Sequence, residues 1–288
     1  MIVRYKTDTD FRRALEERLR QRAEQEGEPL IRLRKRVVFE RCMVRLQRSE
    51  NSPWVLKGGF ALELRLGNRA RMTKDLDLTI DLGFFDNAAV SLSELTHKLR
   101  EDLRGEDEDR FVYIVPEGRE EQLPTQGVKS YRFSVDARLD GRRFEAMSID
   151  VGVGDPLIPP LDELAGSDFL SFAGFSKPNI RATSSAQHLA EKVHALTRPF
   201  DDRINTRVKD LADIMLLLDE GPPQRQTTRN AVEEIFTSRQ IHEIPDEIKE
   251  PSPTWALSYT AMARELGLHH TTLEDATSRL NDYWKKLF

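Results

Sequence analysis

Cysteine is nearly absent: Cys42 stands alone in 288 residues. A single thiol excludes an intrachain disulfide framework and any cysteine-rich zinc site. Long apolar runs are missing too. Hydrophobic residues make up 39% of the chain, yet no stretch approaches the length a membrane span needs. The opening residues MIVRYKTDTDF lack the basic-then-apolar layout of a secretory signal. Internal repeats and low-complexity tracts are also lacking. These absences point to a globular protein with a cytoplasmic address and no membrane partner.

What is present is charge. Charged residues make up 32% of the chain and sum to a net −5, which argues against a generic nucleic-acid binder. The distribution is uneven, however. Residues 1–48 hold 14 Lys/Arg against 8 Asp/Glu, and RLRKRVVFERCMVRLQR (32–48) opposes seven basic residues with Glu40 alone. Two readings follow: a local positive surface able to engage phosphates, or amphipathic helices with solvated outer faces.

Patterning divides the chain into an N-terminal α/β part, 1–170, and a mostly helical C-terminal part, 171–288, with the change of character between 160 and 180. The segment TDTDFRRALEERLRQRAEQEG predicts a capped helix ending at Gly27, and Pro29–Gln47 a second. WVLK predicts a short strand, followed by Gly58-Gly59 and a helix closing at Gly67. DLDLTIDL alternates strictly, as a half-buried strand does, with Asp75, Asp77, Thr79 and Asp81 on one face. Residues 87–104 read as a helix. Two strands, 128–139 and 142–155, meet at Asp140-Gly141, a hairpin signal. Helices are expected over 185–196, 204–219, 226–239 and 271–287.

Chemistry concentrates in KGGFALELRLGNRARMTKDLDLTIDL, residues 57–82. Carboxylates at i and i+2 of a strand project side by side, and like charges that close repel. A divalent cation, Mg²⁺ or Mn²⁺, resolves the conflict, and Mg²⁺ favours one or two carboxylates plus substrate phosphates. Asp150, in SIDVG on a later strand, is a candidate third acid for a two-metal site. A glycine pair where a strand enters a helix permits a tight turn and lets backbone N–H groups approach phosphate oxygens. Alone, each feature reads as an ordinary solvated strand face or a plain turn. In combination they describe a nucleoside triphosphate held by backbone amides and a metal.

This block resembles the signature of the AbiEii/AbiGii-type (MenT-like) nucleotidyltransferase toxins of the polymerase-β-like superfamily. Its counterparts here are Gly58-Gly59, Ala61-Leu62, Arg71, Thr73, Asp75 and Asp77. A second block, AEKVHALTRPFDDRINTRVKDLADI, is similar to the family's helical Lys followed by Lys-Asp-Leu-x-Asp-Ile: Lys192, Lys209, Asp210 and Asp213. Nothing in 220–288 adds to the resemblance. It implies a nucleotidyltransferase sheet with flanking helices and a helical C-terminal domain. Asp75 and Asp77 would hold the metal. Gly58, Gly59 and Lys192, with Lys57, Arg71 and Lys209 as further candidates, would bind the triphosphate of an NTP such as CTP or GTP. An aspartate of the second block would serve the site, and spacing does not decide between Asp210 and Asp213. The implied acceptor is RNA, at the 3′ end of tRNA, with growth arrest as the result and segment 32–48 as a candidate RNA surface. A cognate antitoxin is implied as partner, and in some members the hydroxyl equivalent to Thr73 receives an inactivating phosphate. A phosphate there would repel the NTP and compete for metal.

From the residues alone, Lys192 reads as a lysine extending its ammonium from the edge of the stripe Leu189, Val193 and Leu196. Asp210 and Asp213 read as flank residues of a stripe Val208, Leu211, Met215 and Leu218, in surface ion pairs. His188 and His194 read as incidental. Three rivals remain: the same fold acting on a protein or small molecule, a glycosyltransferase using Asp-x-Asp, and a non-catalytic regulator.

Overall fold

A computed structural model describes residues 5–85, 90–105, 109–121, 128–199 and 205–288. Helix α1 (Asp8–Glu26) starts where the Thr7 side chain accepts the Asp10 N–H and stops at Gly27, whose left-handed backbone (φ 69°) returns its N–H to Ala23. Helix α2 (Leu30–Leu46) follows, then strand β1 (Trp54–Lys57), helix α3 (Gly58–Leu66) and strand β2 (Asp75–Ile80). Asp81 leaves the strand and caps a turn by accepting the Gly83 N–H at 2.9 Å.

Helix α4 (Leu92–Leu103) opens with a capping box between Ser91 and Glu94. The first residues of the helix expected over 87–104 lie outside the described residues. Short strands β3 (Val112–Ile114) and β4 (Arg119–Glu121) precede the long hairpin of β5 (Lys129–Leu139) and β6 (Arg142–Val153). Its turn has φ 56° at Asp140 and 66° at Gly141, the positive pair a two-residue hairpin needs. Strands β7 (Asp162–Ala165) and β8 (Asn179–Ala182) complete the sheet. These four short strands carry too few residues for alternation to show.

The sheet runs β3-β5-β6-β2-β1-β8-β7, with β4 also on β5, and is mixed: β2 lies parallel to β6 and β1 to β8, while β1/β2, β5/β6 and β7/β8 are antiparallel. One face packs on α2, whose neighbours include α1 and α4. The other carries the charged residues of β2.

The C-terminal part comprises α5 (Ser185–Thr197), α6 (Val208–Asp219), α7 (Arg225–Arg239), α8 (Ala256–Glu265) and α9 (Leu273–Trp284). Helix α8 has no counterpart in the sequence expectations. Buried apolar side chains form two clusters. One spans the sheet, α1, α2 and α4; the other gathers the C-terminal helices and takes in Leu62 and Ala70 from the first block.

Segment 32–48 is not the positive surface that its composition suggested. Arg32, Arg36, Arg41 and Arg45 are all buried. Arg32 bonds Glu63 at 2.8 Å and the Ala70 carbonyl at 2.7 Å. Asp109 takes one hydrogen bond from Arg41 at 2.7 Å and one from Arg45 at 2.6 Å. The cause is tertiary: α2 is covered on several sides, and its counter-charges come from residues far along the chain.

Candidate active site

The site is built on a cross-strand row. Lys57 of β1 is the register partner of Asp77 on β2, Asp77 of Asp150 on β6, and Asp150 of Arg132 on β5. Side chains in register on one face of a sheet stand side by side. The row therefore places two carboxylates together with a cation at each end. Asp75, two residues before Asp77 and half-buried, is paired with Ser148.

Burial, and then the neighbouring Asp150, push the Asp77 carboxyl up to about 6, against the pull of Lys57, Lys192 and the Gly59 N–H. Both oxygens of Asp150 receive Arg132, at 2.7 and 2.5 Å. Asp150 thus stands beside Asp77 with a counter-ion already in place.

The glycine pair packs directly onto this row. Gly58 has φ 66°, and a Cβ there would lie 2.1 Å from Oδ2 of Asp77. A Cβ on Gly59 would lie 2.8 Å from Oγ1 of Thr73, and its N–H donates to Asp77 Oδ2 at 3.4 Å. Both missing side chains make room for the residues of the Thr-x-Asp-x-Asp stretch, so the turn brings the start of α3 onto Asp77. Thr73 is buried, and its hydroxyl donates to the Asp75 carbonyl at 3.1 Å.

A second charged cluster joins the two sequence blocks. The Lys192 ammonium donates to Asp210 at 2.7 Å and to Asp213 at 2.8 Å. Arg71 forks onto Asp213 with two 3.0 Å bonds. Burial would raise the Asp213 carboxyl, but Lys192 and Arg71 hold it below the usual carboxylate range. Burial likewise opposes the charge on Lys192, and Asp213 and Asp210 more than restore it. The flank reading of these aspartates is corrected: α6 is buried from Asp210 to Leu218 because the C-terminal helices and the Arg71 segment cover it on both sides. Lys209, by contrast, is exposed, and its side chain makes no hydrogen bond or ion pair among the described residues.

His188 and His194 are both buried. Burial, then Lys192 and Arg65, hold His188 well below its ordinary value, and burial with Arg239 lowers His194 to about 3. Both imidazoles are therefore held in the neutral form at neutral pH.

Two residues escaped the sequence reading. Asp155 accepts from Lys57 at 2.7 Å and from Arg239, at the end of α7, at 2.9 and 3.1 Å. The local signal was Gly152 in DVGVGD: a Cβ there would lie 2.9 Å from the Lys57 ammonium and 3.2 Å from Asp155. Arg239 gave no signal, since it is one of many arginines until the helices pack.

Among the described residues no cluster of three or more His, Cys, Asp or Glu is placed to enclose a metal ion. Asp75 and Asp77 do fit a cation whose remaining ligands come from substrate phosphates, because Asp77 is a half-buried carboxylate standing directly beside Asp150. No helix is long and apolar enough to cross a membrane among the described residues.

Comparisons with known proteins identify the fold and the family. Among curated protein sequences none matches this chain. Among solved structures, the nucleotidyltransferase toxin MenT4 of Mycobacterium tuberculosis H37Rv superimposes with a TM-score of 0.58 at 16% identity, covering 94% of this chain and 89% of that one. That likeness establishes a shared fold, a mixed sheet with flanking helices. The model of the nucleotidyl transferase AbiEii toxin family, a type IV toxin–antitoxin system, matches residues 41–285. Carrying both blocks of charged residues on that fold, the chain belongs to the AbiEii family and is a nucleotidyltransferase of the toxin–antitoxin class.

Proposed function

We propose that the protein transfers a nucleotide from an NTP to an RNA hydroxyl, at the 3′ end of tRNA, and so blocks aminoacylation and translation. The observation that carries the reading is the placement of Asp75 and Asp77 on one strand face, under the Gly58-Gly59 turn, with Lys57 and Lys192 nearby. Asp75 and Asp77 would hold Mg²⁺ or Mn²⁺, which when bound neutralises charge at the phosphoryl group under attack. The oxygen of an acceptor hydroxyl forms the new bond to the α-phosphorus as the bond to the bridging oxygen breaks; pyrophosphate leaves, and the hydroxyl proton passes to solvent.

The chain's own residues orient and neutralise. Lys192 and Arg71 supply positive charge for the leaving pyrophosphate. Asp213 fixes both cations, because it accepts from each and is wholly buried. Asp210, with a 9% exposed side chain, is the member of the pair with access to solvent. Thr73 is the candidate control point for an antitoxin. A phosphate on its hydroxyl would sit against Gly59 and beside Asp75, so the modification requires the first turn of α3 to yield.

Purified protein incubated with Mg²⁺, total RNA and each of the four labelled NTPs tests the reading. Label at the 3′ end of tRNA is expected. A labelled protein band with unlabelled RNA would sink it in favour of a protein acceptor.

A further inference from the structure

Asp155 and Arg239, which pair with each other and through Asp155 with Lys57, lie outside the residues assigned to metal, triphosphate or acceptor. We propose that Asp155 is a positioning residue: it fixes the Lys57 ammonium beside Asp77 and ties that position to the end of α7. The proposal rests on the reading that Lys57 binds the triphosphate.

Three observations carry it. First, the Asp155 side chain is 6% exposed and takes three charged hydrogen bonds, one from Lys57 and two from Arg239, so neither partner moves without leaving a buried charge unpaired. Second, the surroundings are shaped for this pair. Gly152 has no Cβ where the Lys57 ammonium and the Asp155 carboxylate pass, and a side chain there would displace one of them. Third, Lys57 is the strand partner of Asp77, so whatever fixes its head group fixes a cation next to the reacting centre.

Stability alone does not account for the cluster. Desolvating one carboxylate and two cations cancels much of what their attraction returns. Arg239 also lies 3.4 Å from Nδ1 of His194, which shares α5 with Lys192. Asp155 thereby joins the sheet to the helices that supply the other triphosphate cation. Burial and the two cations act on Asp155 in opposite directions: burial raises its carboxyl, and Lys57 and Arg239 bring it well below the ordinary value, so it stays ionised. Glu191 on α5 adds a weaker attraction on Lys57.

The test is nucleotide binding, which needs no acceptor. Each of the four NTPs with Mg²⁺, and the matching monophosphates, would be titrated against wild type, Asp155→Asn, Lys57→Met and the double variant, with thermal melting as the fold control. Asp155→Asn is expected to weaken triphosphate binding about tenfold, the size of one charged hydrogen bond, and to leave monophosphate binding unchanged. The double variant is expected to bind no more weakly than Lys57→Met, because the role of Asp155 passes through Lys57. In steady-state turnover, KM should rise more than kcat falls.

Unchanged triphosphate affinity in Asp155→Asn, equal loss for mono- and triphosphates, or additive losses in the double variant would each overturn the proposal. Should Asp155→Asn fail to fold, Arg239→Met, which releases Asp155 from α7 while keeping Lys57, is expected to weaken triphosphate but not monophosphate binding, and unchanged triphosphate affinity would overturn the proposal. Wild type that binds triphosphate with this pattern yet labels no RNA leaves Asp155 in place and removes the RNA reading alone.

Discussion

Asp77 and Asp150 stand directly opposite each other on neighbouring parallel strands, and only one of them has a dedicated cation. Arg132 forks onto Asp150, while Asp77 takes a single long bond from the Gly59 N–H. The unmatched carboxylate is the one packed against the glycine turn. In the proposed function, this asymmetry is the reason an added cation would sit at Asp77.

Asp77→Asn is therefore expected to have opposite effects on activity and stability. Nucleotidyl transfer should fall on the order of a hundredfold or more. Metal-free protein should gain on the order of 1–3 kcal/mol of unfolding free energy, because a partly desolvated carboxylate repelled by Asp150 becomes neutral. Denaturation in a chelator and labelled-NTP assays check the two halves.

Arg132→Gln should shift metal dependence with little effect on unfolding, since the Arg132 side chain is 33% exposed and solvent screens the pair. Without its counter-ion, Asp150 leaves the row more negative, and the Mg²⁺ concentration for half-maximal activity should drop several-fold. An unchanged metal titration would show that Arg132 does not govern the charge at this site.

Gly58→Ala should be costly for two reasons. The backbone is held at φ 66°, and the new methyl would meet the Asp77 carboxylate. A loss of about 2 kcal/mol or more in stability is expected, together with loss of transfer. Gly27→Ala is the comparison: φ is 69° there, yet nothing lies within 4 Å of a Cβ, so stability should fall without loss of specific activity.

Asp213→Asn should cost about 3–5 kcal/mol at neutral pH by leaving Arg71 and Lys192 without their shared anion. The carboxyl is depressed in the folded state, so its contribution is fully present above the unfolded value, about 4, and is lost as pH falls through the folded value. The gap between wild type and variant should be constant above pH ~5 and close in acid. Urea titrations across that range decide it; a gap that widens toward low pH would contradict the assignment.

Arg45→Met separates structure from RNA binding in α2. It leaves Asp109, whose side chain has no exposure, with Arg41 as its remaining ion-pair partner, and is expected to cost on the order of 1–3 kcal/mol in denaturant unfolding. RNA affinity of the folded fraction, measured by filter binding, should be unchanged.

The sequence by itself determined the pieces whose information is local. Capped helices, the Asp140-Gly141 hairpin and the alternation that sets Asp75 and Asp77 on one face follow from neighbours within a few residues. The two family blocks were likewise legible, since each is a short run of fixed spacing. Tertiary structure alone decided which charges meet. The register of β1, β2, β6 and β5 put Lys57, Asp77, Asp150 and Arg132 in one row, and helix packing carried Arg71 to Asp213 and Arg239 to Asp155. The same packing turned α2 from an apparent phosphate-binding surface into a buried ionic girder. Composition cannot report that change, because a charge binds outward or inward according to what lies across from it, and Arg45 of α2 meets Asp109 from 64 residues away.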